Sequence, residues 1–344
     1  MIRRTVLEWG ALPYGEGEDC IPEGAAKRLA AVAQASSLRR EGGARILSLE
    51  DRKLKAEQVV GVVVADGVSL EILPKIDFPA DQGKPSFGRI RRQLVHMLAV
   101  ALNLDVATGA VTDLGWQKEN LLEILIGLFS TRLADVVRQG MPRRYVACEE
   151  DLPVLRGRLD ITRQFSTLAA NPQRLACRHD ELSPNIALNQ IMKAAISLLT
   201  RLSRSAINQR RLRELAFVYA DIPDVPRQSL RWDDVVLDRT NARWRELVAL
   251  ARLLLNQRFQ TTSEGKGRGF SLLFSMNTLF EEYIARMLKR VLQGTALSVH
   301  AQGGRLHCLE EIDNGAGRFM TKPDILIKRG ASVEMIIDTK WKAL

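Results

Sequence analysis

Two apolar runs close to the end of the chain constrain its fold most. Ile325-Leu326-Ile327 follows Pro323-Asp324, Met335-Ile336-Ile337 precedes Asp338-Thr339-Lys340, and the polar stretch 328–332 between them centres on Gly330. Two apolar runs joined by a glycine-bearing turn predict an antiparallel hairpin. Positions 324 and 338 average to 331, inside the turn, so a regular hairpin sets Asp324 and Asp338 across from each other. Side chains alternate at period two along a strand, which puts Lys340 on the face of Asp338. The spacing thus gathers two carboxylates and one amine at one end of a sheet.

That donor set suits a metal-dependent phosphodiesterase. Mg2+ prefers carboxylate oxygens at about 2.0–2.1 Å and keeps several waters, so Asp324 and Asp338 with one backbone carbonyl would leave room for water and a scissile phosphate. Lys340 would orient or deprotonate the attacking water. The competing reading is an edge hairpin whose Asp and Lys form a solvated ion pair, and spacing alone does not choose between them. The run 335–337 favours function, because an acid closing a buried strand is costly without a partner.

Composition bounds the rest. A chain of 344 residues, 46% hydrophobic and 26% charged, is an ordinary globular sequence long enough for two or three domains. No stretch approaches the roughly 18 consecutive apolar residues of a membrane span, and Met1-Ile2-Arg3-Arg4 leads into a strand-like segment, so a cytoplasmic location is expected. Cys20, Cys148, Cys177 and Cys308 are scattered without a CxxC, which argues for neither a zinc site nor a disulfide framework. His96, His179, His300 and His307 form no HExxH and read as surface or packing residues. The net charge of +10 points to a polyanion partner. Arginines cluster at 89, 91 and 92, at 143 and 144, and at 201, 204, 210, 211 and 213, although a solvated helix face explains any one cluster as well. The GxxxxGK[ST] order is absent, so no nucleotide-hydrolysing site is visible.

Read in order, the chain predicts a strand over 5–14, a helix over 22–35 and β structure over 45–76 with a two-residue turn at Asp66-Gly67. Residues 79–87 read as a linker. Helical stripes follow at 94–102, 121–137, 188–202 and 244–255, interrupted by extended structure over 145–161. The polar, Gly-rich stretch 261–269 reads as a boundary or mobile loop, and 279–292 as a helix with Glu281 and Glu282 near its start, where they would favour the helix dipole, a metal role being an equal alternative for Glu281.

A helix bearing an acid, followed by Pro-Asp and Asp-x-Lys strands, is similar to the PD-(D/E)xK nuclease superfamily. The ordered series is more specific: Ser69-Leu70-Glu71-Ile72-Leu73-Pro74-Lys75-Ile76, Leu155-Arg156-Gly157-Arg158-Leu159, Cys177-Arg178-His179-Asp180-Glu181 with Asn189, Met276-Asn277-Thr278-Leu279-Phe280-Glu281-Glu282-Tyr283, Lys322-Pro323-Asp324 and Asp338-Thr339-Lys340-Trp341-Lys342. Over nearly the whole chain this resembles the McrC family, nuclease subunits of McrBC-type modification-dependent restriction systems. The resemblance implies a β-rich N-terminal domain that docks on a hexameric AAA+ GTPase of McrB type and stimulates its hydrolysis, and a C-terminal Mg2+-dependent nuclease acting on double-stranded DNA. It assigns recognition of methylated cytosine to the partner. It implies that Asp324 and Asp338 are Mg2+ ligands and Lys340 the catalytic lysine, with Glu281 a further catalytic candidate.

The expected fold class is therefore α+β, with a β-rich docking domain over 1–88, a mainly helical domain over 89–260 and a PD-(D/E)xK-type α/β nuclease core over 261–344. The segment entering the partner ring is expected within 35–59. Nucleases of this fold continue past the catalytic lysine, whereas this chain stops four residues beyond Lys340, so the nuclease core is expected to be truncated, either as a fragment or as a short, incomplete nuclease. Two further functional classes stay open: a non-catalytic activator of an AAA+ ring, and a stand-alone basic DNA-binding protein whose affinity would fall with salt.

Overall fold

The computed structural model describes residues 1–36, 45–76, 86–103, 119–171, 173–239, 241–256, 260–261, 268–302, 306–310, 317–321 and 323–342. It forms two compact units, one of Met1–Leu125 with Asn256–Leu344 and one of Ile126–Leu255. Segments expected in separate N- and C-terminal domains thus share one unit. The units part after Leu125 and after Leu255.

The first unit begins with β1 (Ile2–Leu7) and β2 (Ala11–Pro13). A single strand over 5–14 was expected. The chain breaks instead at Trp9, which adopts a positive φ of 62°, and at Gly10, where a Cβ would crowd the Leu7 carbonyl. Helix α1 (Glu23–Gln34) follows, then β3 (Leu47–Glu50), β4 (Lys53–Ala56), β5 (Val59–Ala65) and β6 (Val68–Leu73). β5 and β6 pair antiparallel through the expected Asp66-Gly67 turn, where Gly67 takes a φ of 75° that side chains disfavour. β6 then lies parallel to β1. The small side chains of Ala25, Ala26, Ala30 and Ala33, with Leu29, bring α1 close to the sheet and into the buried core with Val59, Val63 and Leu70.

Ser86 accepts a hydrogen bond from the Arg89 amide at the start of helix α2 (Phe87–Ala101). Here one expectation is corrected. Arg91 does not belong to a solvated basic face; it is buried and forks onto Glu71 of β6, with Nε at 2.7 Å and Nη2 at 2.6 Å. Glu71 also accepts from the Leu121 amide at 2.8 Å and from Thr5 Oγ1 at 3.1 Å. A buried carboxylate with that many donors is stable only as a set, and this one ties β1, β6, α2 and the start of helix α3 (Leu121–Arg138) together.

The second unit holds β7 (Arg144–Leu152), β8 (Arg158–Leu159), helix α4 (Ile161–Phe165), β9 (Leu175–Ser183) and helices α5 (Ala187–Leu202), α6 (Ala206–Val218) and α7 (Arg245–Asn256). β9 is central, antiparallel to β7 and β8. The stripe Leu188, Ile191, Met192, Ala195, Leu198 and Leu199 of α5 is buried as the periodicity predicts, and so are Trp244, Leu247, Ala251 and Leu254 before and along α7. Asn189 of α5 donates to the carbonyls of Pro142 and Pro184, fixing the ends of β7 and β9 to the helix.

The chain then returns to the first unit through β10 (Gln260–Thr261), β11 (Arg268–Ser275), helix α8 (Met276–Val291), β12 (Leu297–Ala301), β13 (Leu306–Glu310), β14 (Gly317–Thr321), β15 (Ile325–Arg329) and β16 (Ser332–Ile337). β11 decides the architecture. It pairs antiparallel with β5 from Phe270 opposite Val64 to Ser275 opposite Val59, giving a sheet of order β1-β6-β5-β11-β10. Gly61 of β5 and Gly269 of β11 mark close approaches: a Cβ on the first would overlap the Leu272 carbonyl, and on the second the Val32 side chain of α1. α8 packs on α2, where Tyr283 meets His96 edge-on at 6.1 Å. Most of the expected linker 79–87 and loop 261–269, and part of the expected ring-entering segment, lie outside the described residues.

Candidate active site

The hairpin expected near the end of the chain is present as β15 and β16, with Gly330 at a φ of 58° in the turn. It belongs to a three-stranded sheet of order β12-β15-β16, so β15 is the central strand and His300 of β12 pairs opposite Leu326. Ile325, Leu326 and Ile327 are buried. β16 differs from expectation: Met335 is 54% exposed and Ile336 58%, so neighbouring side chains on opposite faces of this edge strand are both open. Asp338 therefore closes an exposed strand, and of the two acids it is Asp324, half-buried before the buried strand, that is the more sheltered.

Register brings the two acids together. The turn pairs Arg329 with Ser332 and Lys328 with Val333, and a regular ladder from there would set Asp338 opposite Pro323. A bulge between Ile327 and Lys328 inserts Glu334 as an extra residue, after which Ile327 pairs with Met335 and Ile325 with Ile337. Asp324 and Asp338 flank that last pair on the same side. Asp324 Oδ2 accepts from the Thr339 amide at 2.7 Å and from Thr339 Oγ1 at 3.0 Å, which holds the residue after Asp338 against Asp324. The Asp324 carbonyl accepts from the Gln302 amide at 2.6 Å, tying the same corner to the end of β12. Lys340 is exposed one residue beyond Thr339.

Trp341 anchors the segment that carries Lys340. Its Nε1 donates to Glu8 Oε1 at 2.6 Å, and its ring meets Phe280 of α8 edge-on at 5.2 Å. Glu8 Oε1 also accepts from the Lys75 amide at 2.9 Å, whereas Oε2 is buried without a hydrogen-bond partner. Burial pushes the Glu8 carboxyl above its ordinary value, and the Trp341 and Lys75 hydrogen bonds oppose that shift only in part. Neither Glu8 nor Thr339 is singled out by sequence reasoning, although Thr339 and Trp341 lie inside the stretch around the Asp-x-Lys signal.

Glu281 sits in the second turn of α8, beyond the reach of the helix N-terminal dipole expected for it, and is half-buried. Its neighbour Glu282 approaches Arg286 at 3.8 Å. Among the described residues, Glu281, Asp324 and Asp338 do not bring three ligand oxygens within 4.8 Å of one another. The structure thus unites Asp324, Asp338 and the segment carrying Lys340, and leaves Glu281 on the adjacent helix. As a donor set, two carboxylates at a sheet corner, one with an oxygen already oriented by Thr339, fit a hard divalent cation that keeps most of its water.

Comparison with known proteins bears on the fold and the family. A chain of the refined half-complex of a tetradecameric assembly of Thermococcus gammatolerans McrB AAA+ hexamers with bound McrC is similar to this one with a TM-score of 0.73 and 22% identity, over 99% of this chain and 80% of that one. A chain of the cryo-EM structure of the Thermococcus gammatolerans McrBC complex is similar with a TM-score of 0.67 and 24% identity, over 84% of this chain and 88% of that one. No curated protein sequence matches. The fold is accordingly that of a chain of these McrBC assemblies. The chain belongs to the McrBC 5-methylcytosine restriction system component family, whose model matches residues 54–344.

Proposed function

We propose that this protein is the nuclease subunit of a modification-dependent restriction complex, cutting double-stranded DNA with Mg2+ while docked on an AAA+ GTPase hexamer of McrB type. The observation that carries the reading is the Thr339 clasp on Asp324, which, with the Glu334 bulge, sets Asp338 and the Lys340 segment beside it. Asp324 and Asp338 would hold Mg2+, which supplies charge stabilisation at the phosphate when bound. Lys340, exposed on the segment held between Thr339 and Trp341, orients the attacking water or takes its proton. Glu281, half-buried on the adjacent helix α8, is a further catalytic candidate. A net charge of +10 suits a DNA partner, and the likeness to a chain from an assembly of McrB AAA+ hexamers with bound McrC supports the GTPase partner.

The test is Asp338→Ala in the complex with its GTPase partner. DNA cleavage is expected to fall to background while GTP hydrolysis by the partner is unchanged; undiminished cutting would remove the assignment. One observation favours a second reading, a non-catalytic activator of the ring: the three acids do not gather tightly. A complex that stimulates GTP hydrolysis yet never cuts DNA in Mg2+ or Mn2+ would establish that reading instead.

A further inference from the structure

We infer that the β7–β9 sheet of the second unit carries a transition-metal site of the Zn2+ class, formed by Cys148, His179 and Glu181. Cys148 lies directly opposite His179 in the β7–β9 ladder, and Glu181 is two residues further along β9, so the three side chains share one face. Their ligand atoms all lie within 4.8 Å of one another, with Cys148 Sγ 4.0 Å from Glu181 Oε2, and no other group of three among the described residues gathers in this way. A tetrahedral ion with ordinary Zn–S, Zn–N and Zn–O bonds sets its ligand atoms about 3.4–3.6 Å apart, a closure that side-chain rotation supplies.

The second observation is the imidazole itself. Both ring nitrogens of His179 are buried and neither has a hydrogen-bond partner. A buried histidine with two idle nitrogens is an unsatisfied group that asks for a ligand. Its surroundings hold it in place: Gly157, at a φ of 74°, lies so close that a Cβ there would overlap the Arg178 carbonyl and the His179 Cβ. The Arg156 amide next to it donates to Cys177 Sγ at 3.3 Å, so Cys177 is engaged in closing the loop over the same strand. Two arginines lie beside the cluster. Arg156 stands 3.9 Å from Glu181, and Arg178, which points away on the alternate face, is taken by Glu149 and Asp160.

The donor set chooses the ion. Thiolate sulfur and imidazole nitrogen disfavour Mg2+ and Ca2+ and favour Zn2+, and three protein ligands leave a fourth position for water. The sequence signal is a Cys-x-His-x-Glu alternation over 177–181 with a distant Cys148, which searches for CxxC or HExxH pass over because ligands on strands recur at period two.

The test uses the full chain stripped with a chelator and titrated with Zn2+ against a chromogenic competitor. One ion per chain is expected. Cys148→Ser, His179→Ala and Glu181→Gln should each weaken binding by more than about tenfold, since even losing a group that only supports a ligand costs that much. Cobalt in place of zinc should give a thiolate charge-transfer band that Cys148→Ser abolishes. Glu181 is exposed, so its substitution tests the site without disturbing the fold. No bound ion, or an ion held equally tightly by all three variants, would overturn the proposal.

Discussion

Asp324 and Glu8 are two sheltered carboxylates that the fold treats in opposite ways. Asp324 receives two donors from Thr339 on one oxygen. Glu8 has one oxygen that accepts two hydrogen bonds and another that is buried without a partner, and burial raises its affinity for a proton. A carboxyl whose folded value is raised contributes stability that is present below its ordinary value of 4.5 and is lost as pH rises through the raised value. Glu8→Gln is therefore expected to gain stability relative to the parent as pH climbs from about 4.5 to 8, read from urea midpoints; parallel pH profiles would refute it. Arg91→Ala should cost about 3–5 kcal/mol, because it strands Glu71 in the core, and the same urea series measures it. At this scale the sequence makes Asp324, Asp338 and Lys340 legible, because hairpin spacing is local. The Trp341–Glu8 bond joins residues 333 positions apart, and no local pattern announces such a contact.

For single elements, the hairpin was readable but its detail was not. Two apolar runs around a glycine specify two strands, while the turn length and the bulge are settled by packing of β15 between β12 and β16. The bulge permits a sharp prediction. Deleting Glu334 alone lets the ladder run regularly from the turn and still ends with Asp338 beside Asp324, so cleavage should persist. Deleting Glu334 and Met335 together slides Asp338 opposite Ile325 and onto the other face, and cleavage by the assembled complex should disappear. Equal activity of the two deletions would show that register does not build the site. β11 was missed for a different reason. Its residues, Arg268–Ser275, follow a Gly-rich stretch and run straight into a helix, so nothing local separates a strand from a helix lead-in.

Across the molecule, the helical stripes and the N-terminal β structure follow from periodicity, whereas the grouping of the two chain ends does not. It rests on one strand of the C-terminal part lying beside β5 in the N-terminal sheet. A fragment of residues 1–125 is thus expected to stay unfolded or aggregate when expressed alone, since it leaves the edge of Val-rich β5 unpaired. Supplying 256–344 as a separate chain should restore a soluble, protease-resistant pair; a stable folded 1–125 fragment on its own would contradict this.

The placement of β11 also sets a clock on synthesis. A ribosome adds about 5–20 residues per second, so β5 emerges roughly 10–40 s before its partner strand exists. During that interval the N-terminal sheet waits with one side open, and it closes only when the chain is within reach of Asp324 and Asp338. The sheet at the start of the protein and the acids near its end consequently mature together, and a polypeptide released early has neither.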